Sequence, residues 1–507
     1  MQARIKNILF VILASILYVL VNGYSFNTGD QAEHLPQVYQ KLNAALFQND
    51  FFLTYYNQTF TVRFYYVETV AFFSKYIGVE TTCLLLFSIC LFLSIYYFQK
   101  IACYFLENEM KAWLATFLLF FVIRYFTIGG NHLQDTMLTG SSFAEALSIV
   151  AFNFALRNKV CLSAFFCGVA ALFQPLIALQ VAAILFALLI FSKEINRNKN
   201  ILIFSLIFSL ISAFIFVPIA QKQFNISTID AATANKILFD FRGYLHYLPQ
   251  NFLIRDYLLF GLILFFTTYC LIKSKIQNKK PLFIIGISIL TMCCIYSFVL
   301  ILNPVSTVGK FQLYKSIVWI NLFLSLPLTA FVFENKLRIK LCIVVLSLCI
   351  SIKIFSNILS NNLDNTYRIY SLNKSSEKSI HEWINKNTPV ESKFLVPPND
   401  ESFSCEAKRS MPVNYKAVIH EPEFMLEWKK RMEQYYSVDF TKVENGNCMN
   451  LAMQGFYNTD FSSKILNDVD FVLLNKYYEN HSYPDICLHS KSQVFYEDTN
   501  WKILKLK

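Results

Sequence analysis

The sequence predicts a polytopic α-helical membrane protein, with about eleven transmembrane helices and a C-terminal α/β domain on the outer face. Hydrophobic residues make up 55% of the 507 residues and charged residues only 16%, whereas soluble globular proteins carry about 25% charge. Apolar runs fill residues 8–355 and then stop. This change in composition predicts a membrane module at 1–358 and a soluble domain at 359–507.

Eleven apolar runs approach the length of about 20 residues that a helix needs to cross a bilayer core. No small-residue cleavage site follows the first run before Asn27, so we interpret it as a retained anchor rather than a signal peptide. The fourth to sixth runs are short and crowded, so ten or twelve helices also fit. The runs cover residues 7–23, 82–98, 112–128, 142–156, 160–174, 176–191, 201–219, 256–273, 282–302, 314–333 and 339–357.

The distribution of Lys and Arg predicts a cytoplasmic N-terminus. In that orientation the cytoplasmic segments hold 16 Lys and Arg in 46 residues, whereas the much longer outer loops hold eight. This excess is the positive-inside pattern of multi-pass proteins. The net charge of +11 therefore reflects topology in the cell (inner, cytoplasmic) membrane rather than nucleic-acid binding. An odd number of helices places the C-terminal domain outside the cytoplasm.

Most of the 13 cysteines lie in or beside the apolar runs, where a thiol behaves as a small hydrophobe. Cys405, Cys448 and Cys487 belong to the outer domain. One disulfide among these three would suit an oxidising compartment. The sequence does not select the pair, and no Cys/His spacing resembles a zinc site.

The first outer loop, residues 24–81, is far longer than the usual connection of about 4–6 residues. Pro36 suits the first turn of a helix, and apolar residues follow it at helical spacing. An aromatic-rich segment at about 62–77 comes next. The loop is therefore predicted to form two helices in the membrane interface.

The same loop places Asp30, Glu33 and His34 within five residues, directly after the first span. Acidic residues at a helix N-terminus are common because the helix dipole favours them. The alternative is a catalytic carboxylate at the membrane surface. The three residues alone are compatible with both interpretations.

The second outer loop, near residues 128–141, contributes His132 and Asp135 and contains no basic residue. Glu145 follows just inside the fourth span. An ionisable group at membrane depth is costly and is a functional candidate. A structural cap or a buried pair with Arg124 explains Glu145 equally well.

Four basic residues of the later outer loops are candidates for binding phosphate. Lys310 and Lys315 lie where the chain re-enters the bilayer after the fifth outer loop, and Arg242 and Arg255 lie in the fourth. Such cations can neutralise a lipid phosphate or pyrophosphate. The alternative is that long basic side chains simply extend toward the membrane surface.

The outer domain carries no Gly-rich phosphate loop, nucleophile elbow or H-E-x-x-H sequence. We therefore expect a structural or acceptor-binding domain. Helices are predicted at 375–387 and 422–437, strands at 393–396, 416–420 and 470–474, and a hairpin at 493–496 and 501–506.

Several short motifs add to this architecture. They are Gly29-Asp30-Gln31, Gln312-Leu313-Tyr314-Lys315, Trp383-Ile384, Thr388-Pro389, Phe394-Leu395-Val396-Pro397-Pro398, Arg409 and Glu427-Trp428-Lys429-Lys430-Arg431. Together these features resemble the C-type membrane glycosyltransferases, the GT-C superfamily, and the local motifs are most similar to an uncharacterised bacterial subgroup of it. The architecture covers most of the chain, and the motifs cover about 40 residues. The resemblance departs from the subgroup at Lys315, where Arg is more usual.

The resemblance implies a GT-C fold and transfer of a hexosyl or pentosyl group from a polyprenyl-phosphate donor to an acceptor glycan, lipid or protein at the outer face. Such transfer needs a carboxylate to accept the acceptor hydroxyl proton and cations for the leaving phosphate. Asp30 is the expected base and Glu33 the reserve. The expected phosphate ligands are Lys310, Lys315, Arg242 and Arg255.

Some members of the superfamily use a divalent metal held by the first two outer loops. By resemblance, Asp30, His132 and Asp135 would hold such a cation here. His34 and Glu145 are further candidates for the same site. The identity of any cofactor stays open at this stage.

Two other functional classes remain open. A non-catalytic or flippase-like component of a surface-glycan pathway would bind lipid without turnover. A secondary transporter would usually show paired repeats and broken helices near the midplane, and neither is clear in the sequence. A large soluble end domain is also unusual for a transporter.

Overall fold

The computed structural model describes residues 2–125, 127–129, 131–191, 197–223, 231–276, 278–304, 306–359, 367–368, 376–444, 446–458, 468–481 and 492–506. The chain forms two compact units, each assembled from three stretches of sequence. Unit one comprises Met1–Ser25, Cys83–Lys222 and Leu245–Arg368, and unit two comprises Phe26–Thr82, Gln223–Tyr244 and Ile369–Lys507.

The helices account for most of the described chain. Up to residue 359 they are α1 (Gln2–Asn22), α2 (Gly29–Leu42), α3 (Phe51–Gln58), α4 (Phe64–Ile77), α5 (Val79–Leu106), α6 (Glu109–Phe121), α7 (Gly140–Leu156), α8 (Val160–Phe173), α9 (Pro175–Ile190), α10 (Arg197–Gln223), α11 (Ala231–Lys236), α12 (Ile254–Lys273), α13 (Lys280–Leu302), α14 (Ser306–Gly309), α15 (Ile317–Val332) and α16 (Lys336–Leu359). The later helices are α17 (Ser376–Asn387), α18 (Phe403–Ala407), α19 (Pro422–Tyr436), α20 (Cys448–Asn458) and α21 (Lys476–His481).

Each of the eleven predicted spans coincides with a helix, which confirms a polytopic helical membrane fold. Among the described residues, six helices are long and apolar enough to cross a membrane, α10 and α13 among them. Leu206, Leu210 and Phe214 of α10 are exposed, as expected of side chains that face lipid. By contrast, 83% of the segment Leu313–Val332 is buried, so this helix lies inside the bundle.

Helices α7, α8 and α9 are the short, crowded runs of the sequence. At a rise of about 1.5 Å per residue, the 14 residues of α8 fall short of the roughly 30 Å of a bilayer core. These helices also make close contacts. A Cβ on Gly140 would lie 2.6 Å from the Phe173 carbonyl oxygen, and a Cβ on Gly168 would lie 2.9 Å from Cβ of Ile211. Only glycine fits these two contacts.

The first outer loop contains three helices, α2 to α4, rather than the two that periodicity predicted. Helix α2 begins at Gly29, so Pro36 lies inside it and not in its first turn. The unpredicted helix is α3. The Asp50 side chain caps it by accepting a hydrogen bond from the Leu53 amide at 3.0 Å, a standard N-cap contact.

In unit one, β1 (Tyr24–Ser25) pairs in parallel with β2 (Tyr367–Arg368). The C-terminal residues of unit two form a four-stranded sheet in the order β3 (Phe394–Leu395), β4 (Phe471–Asn475), β6 (Trp501–Leu506) and β5 (Ser492–Glu497). Strands β3 and β4 are parallel, and the other pairs are antiparallel. The sheet confirms the predicted hairpin and buried strand. The core between sheet and helices contains Ile380, Ile384, Phe394, Phe403, Leu473, Trp501 and Ile503.

The strand predicted at 416–420 is absent from this described segment, and the prediction was wrong. The Asn414 side chain accepts hydrogen bonds from the amides of Lys416 and Ala417, at 2.8 and 3.1 Å. This local turn competes with strand pairing. Helix α20 was not predicted.

No disulfide joins Cys405 and Cys448. Cys487 lies outside the described residues. Cys448 instead lies 2.8 Å from the Tyr415 hydroxyl and 2.7 Å from the Phe241 carbonyl oxygen. The contact to Phe241 joins the segment Gln223–Tyr244 to the C-terminal residues of unit two.

Candidate functional site

The first outer loop turns sharply into α2, and the turn presents Asp30. Asn27 and Gly29 both have left-handed backbones, with φ of 59° and 53°, a region that favours Asn and Gly. The Asn27 amide donates to Gln31 Oε1 at 2.6 Å, which ties the turn to the helix. Asp30 lies in the first helical turn and is exposed. Its carboxylate is therefore accessible to a substrate.

Glu33 differs from Asp30 in being buried. It forms an ion pair with Arg63, whose guanidinium lies over the ring of Phe52, 5.8 Å from the centroid. A buried carboxylate that has lost its cation is strongly destabilising. The contact therefore favours a structural role for Glu33, as the link between α2 and the start of α4.

His34 is buried beside Tyr66, with 5.1 Å between ring centroids. Burial, reinforced by the Arg63 guanidinium, lowers the pKa of His34 to about 3. The imidazole is therefore neutral at physiological pH. It offers no positive charge to a phosphate.

In unit one, the second outer loop is held from two sides at Gln134, whose φ is 56°. The Tyr18 hydroxyl donates to the backbone carbonyl oxygen of Gln134 at 2.6 Å. The backbone amide of Gln134 donates to Glu145 Oε2 at 2.6 Å. Ser94 donates to the Gln134 side chain at 3.2 Å. Glu145 is thus a buried anchor for this loop.

Glu145 also lies in a cluster of charges within unit one. It interacts electrostatically with Asp135, Arg124 and Lys315. Arg124 is buried, with Cζ 4.9 Å from the ring centroid of Tyr18. Three predicted site residues, Glu145, Asp135 and Lys315, are therefore brought together, with Arg124 beside them.

His132 and Asp135 occupy different environments in the second outer loop. Asp135 is exposed, whereas His132 is partly buried. Burial and the Arg124 guanidinium hold the pKa of His132 below its usual range, although Asp135 opposes this. The accessible carboxylate of this loop is that of Asp135.

The Gln312-x-x-Lys315 element has a fixed backbone. Gln312 is left-handed, with φ of 45°, and the Gln180 side chain donates to the carbonyl oxygens of Phe311 and Gln312, both at 3.2 Å. These contacts set the start of α15. Lys310 and Lys315 are both partly buried, one on each side of the turn.

The two candidate arginines, Arg255 and Arg242, have different surroundings from these lysines. The Arg255 side chain is 82% exposed and lies 3.3 Å from Asp256, an arrangement that contributes little to stability. Arg242 ends a π-helical segment, Ile237–Arg242, but its side chain lies outside the described residues. Neither has a described link to the cluster around Glu145.

The proposed metal ligands belong to different units. Asp30 is in unit two, whereas His132 and Asp135 are in unit one, so that set remains a proposal.

Sequence reasoning also missed two residues that organise the loops, Arg63 and Gln180. Gln180 had a visible signal, because an amide within an apolar run needs a partner.

The C-terminal motifs identified in the sequence are largely structural. The buried Arg409 guanidinium donates to the carbonyl oxygens of Asn385 and Thr388, at 2.8 and 2.6 Å, which caps the C-terminus of α17. Trp428 is fully buried and donates to the Asn414 carbonyl oxygen at 2.8 Å. These residues hold the domain together.

Comparisons with known proteins support the fold. Residues 375–435 match a family described as a domain of unknown function, DUF6798, which is the region of these motifs. No protein with a curated description matches the sequence. In structure, the chain is similar to ArnT from Cupriavidus metallidurans bound to undecaprenyl phosphate, with a TM-score of 0.51 and 10% identity, covering 98% of this chain and 97% of that one. The ArnT-like fold is therefore shared over nearly the whole chain.

Proposed function

We propose that the protein is a membrane glycosyltransferase that moves a sugar from a polyprenyl-phosphate-linked donor to an acceptor at the outer membrane face. The observation that carries this proposal is the similarity in fold, over 98% of the chain, to a protein bound to undecaprenyl phosphate. The motifs that resemble the GT-C superfamily point to the same class. A lipid-linked donor keeps its tail in the bilayer, so its chemistry belongs at the surface of a helical bundle.

Asp30 is the proposed general base. It is exposed in the first turn of α2, whereas Glu33 is buried against Arg63. A base must reach the acceptor hydroxyl to remove its proton, and of these two carboxylates only that of Asp30 is accessible. Asp30 would accept this proton as the sugar carbon develops positive charge.

Lys310 and Lys315 are the proposed ligands of the donor phosphate. Both are partly buried around the rigid turn at Gln312, so their ammonium groups act where water screens charge less. Lys supplies a point charge rather than the two-pronged contact of Arg. Arg242 and Arg255 remain secondary candidates.

The proposed site faces the outside of the cell membrane. The positive-inside pattern supports a cytoplasmic N-terminus, and eleven spans would then place the C-terminal residues outside. The acceptor would be a glycan, lipid or protein of the cell envelope.

The proposal is tested with the full chain in lipid nanodiscs. The protein is incubated with a panel of undecaprenyl-phosphate-linked hexoses and pentoses, together with a cell-envelope extract as the source of acceptors. Mass spectrometry then quantifies free undecaprenyl phosphate. Release from at least one donor, above the level of empty nanodiscs, is the expected result.

The same assay separates the alternatives. Binding of donors without release from any of them would favour a non-catalytic or flippase-like component. Movement of labelled donor across the bilayer, again without release, would favour transport. Either result contradicts the transferase proposal.

A further inference from the structure

A cluster of ligand-type side chains lies in the C-terminal part of unit two and includes none of the residues proposed for transfer. Glu377 and His381 are one turn apart on α17, so both project from one face of the helix. Asp400 lies in the turn after β3. One potential ligand atom from each of the three residues lies within 4.8 Å of the others. His381 is completely buried, and Asp400 is 6% exposed.

Both ring nitrogens of His381 have carboxylate neighbours. Nε2 lies 2.9 Å from Asp400 Oδ2, and Nδ1 lies 2.9 Å from Glu406 Oε2. Glu377, which is partly exposed, completes a set of three carboxylates around this one imidazole. Imidazole and carboxylate groups are ligands of divalent transition metals.

Asp400 supplies a second, independent observation. Its Oδ1 atom is buried, and no residue in the described part of the chain forms a hydrogen bond to it. Buried polar atoms in native proteins are nearly always satisfied. The atom belongs to the same carboxylate that faces His381, so a ligand bound at this cluster would satisfy it.

The surrounding contacts match the outer shell of a metal site. Metal-binding histidines usually donate their second ring N–H to a carboxylate, and Glu406 is placed to accept it from Nδ1 of His381. Ser402 donates to Glu377 Oε1 at 3.2 Å. Glu406 is itself held by the Asn27 side-chain amide at 3.0 Å. The first-loop turn and the cluster are therefore joined within unit two.

We propose that Glu377, Asp400 and Nε2 of His381 bind a divalent transition metal, with Zn²⁺ as the preferred ion. One imidazole and two carboxylates are ligands that Zn²⁺ accepts in tetrahedral sites, with water as a fourth ligand. Imidazole disfavours Ca²⁺ and Mg²⁺, which prefer oxygen ligands. The site is distinct from the Asp30, His132 and Asp135 set and does not depend on the proposed transferase activity.

The expected role of this ion is structural. It would join α17, the turn at Asp400 and, through Glu406, the turn at Asn27. The chain should therefore unfold at a lower temperature when a chelator removes the metal. This measurement of the unfolding temperature does not depend on transferase activity.

The test uses the full chain, purified in detergent with a tag that contains no histidine and without metal-affinity resin. Elemental analysis should find about one Zn²⁺ per chain. Asp400→Asn and Glu377→Gln should each lose most of this metal, whereas the control Glu382→Gln, a partly exposed carboxylate on the same helix that pairs with Lys378, should retain it. Glu406→Gln should weaken metal affinity by about 10–100-fold, as loss of an outer-shell partner does.

A spectroscopic measurement covers the case in which variants fail to fold. Chelator-treated wild-type protein is titrated with Co²⁺, and a bound tetrahedral ion should give visible absorption that Zn²⁺ removes. The proposal is overturned if wild-type protein holds no stoichiometric metal and neither Co²⁺ nor Zn²⁺ changes its spectrum or melting temperature. His381 would then be an imidazolium held between Asp400 and Glu406. Metal retained by both Asp400→Asn and Glu377→Gln would also overturn it.

Discussion

The Asn27 side-chain amide donates a hydrogen bond to Glu406 Oε1 at 3.0 Å, across 379 residues of sequence. Both residues are buried, and Asn27 lies three positions before Asp30. The contact fixes the turn that presents the proposed base. It also links that turn to the His381 cluster, because the other oxygen of Glu406 contacts His381.

Two substitutions at Asn27 separate the hydrogen bond from the backbone strain. Asn27→Gly keeps the left-handed conformation and loses the bond, which should cost about 1–3 kcal/mol because Glu406 stays buried. Asn27→Ala should cost about 1–2 kcal/mol more, since a left-handed backbone disfavours Ala. Thermal unfolding in detergent measures both. Equal melting temperatures for the two variants would contradict the backbone argument.

The Glu33–Arg63 contact predicts that Glu33 stabilises the fold and takes no direct part in catalysis. Glu33→Gln and Arg63→Gln should each lower the free energy of unfolding, by up to about 3–5 kcal/mol, because each removes the ionic partner of a charge that is buried at Glu33 and partly buried at Arg63. The double variant should be less destabilised than the sum of the two. Denaturant unfolding of all three proteins measures this coupling. A Glu33→Gln protein of unchanged stability that has lost transfer activity would instead identify Glu33 as a catalytic group.

His34 should make unit two sensitive to acid. Its pKa is lowered to about 3 in the folded protein, against about 6.5 in an unfolded chain. Between these values the unfolded state binds the proton more tightly, so stability is full above about pH 6.5 and falls as the pH drops toward 3. From pH 7 to pH 5 the loss should be about 2 kcal/mol.

The variant His34→Gln removes the titrating group and should flatten this part of the pH profile. Thermal melts of both proteins at pH 7, 6 and 5 provide the comparison. The stability of wild type relative to His34→Gln should fall as the pH drops from 7 to 5. A constant difference would show that His34 does not cause the acid sensitivity.

Lys315 should matter for binding of a lipid phosphate. Loss of one charged contact costs about 1.5–3 kcal/mol, so Lys315→Gln should weaken undecaprenyl phosphate binding by at least about tenfold. Lys315→Arg should retain the affinity. The exposed Lys336, predicted on the opposite side of the membrane, gives the control variant Lys336→Gln. Native mass spectrometry of the nanodisc complexes measures Kd, and equal weakening by Lys315→Gln and Lys336→Gln would contradict a specific site.

The sequence predicted the membrane helices well because the signal for a span is local. A run of apolar residues indicates, without any distant contact, that the segment lies in lipid. All eleven runs coincide with helices. Helix α3 was missed because its sequence, FFLTYYNQ, shows no clear periodicity. Its capping residue, Asp50, also accepts a hydrogen bond from the distant Met411 amide, a tertiary contact that local sequence does not reveal. The strand predicted at 416–420 failed because the Asn414 side chain captured the backbone amides that a strand would use.

The site could be predicted only in part. Asp30 was identifiable from its place after the first span, and Lys315 from its place before a late one. The pairing of Glu33 with Arg63, across 30 residues, and the clustering of Glu377, His381 and Asp400 arise from tertiary packing. No spacing in the sequence encodes them, apart from the one-turn separation of Glu377 and His381.

The most direct measurement compares wild type, Asp30→Asn and Glu68→Gln in the undecaprenyl phosphate release assay. Glu68 is a half-exposed carboxylate of the same outer loop, paired with Lys41, so its variant controls for loss of charge. Asp30→Asn should fold normally and release undecaprenyl phosphate about 10²–10⁴ times more slowly, the usual contribution of a general base, while Glu68→Gln matches wild type. A folded Asp30→Asn protein that works within about twofold of the wild-type rate would contradict the proposed chemistry.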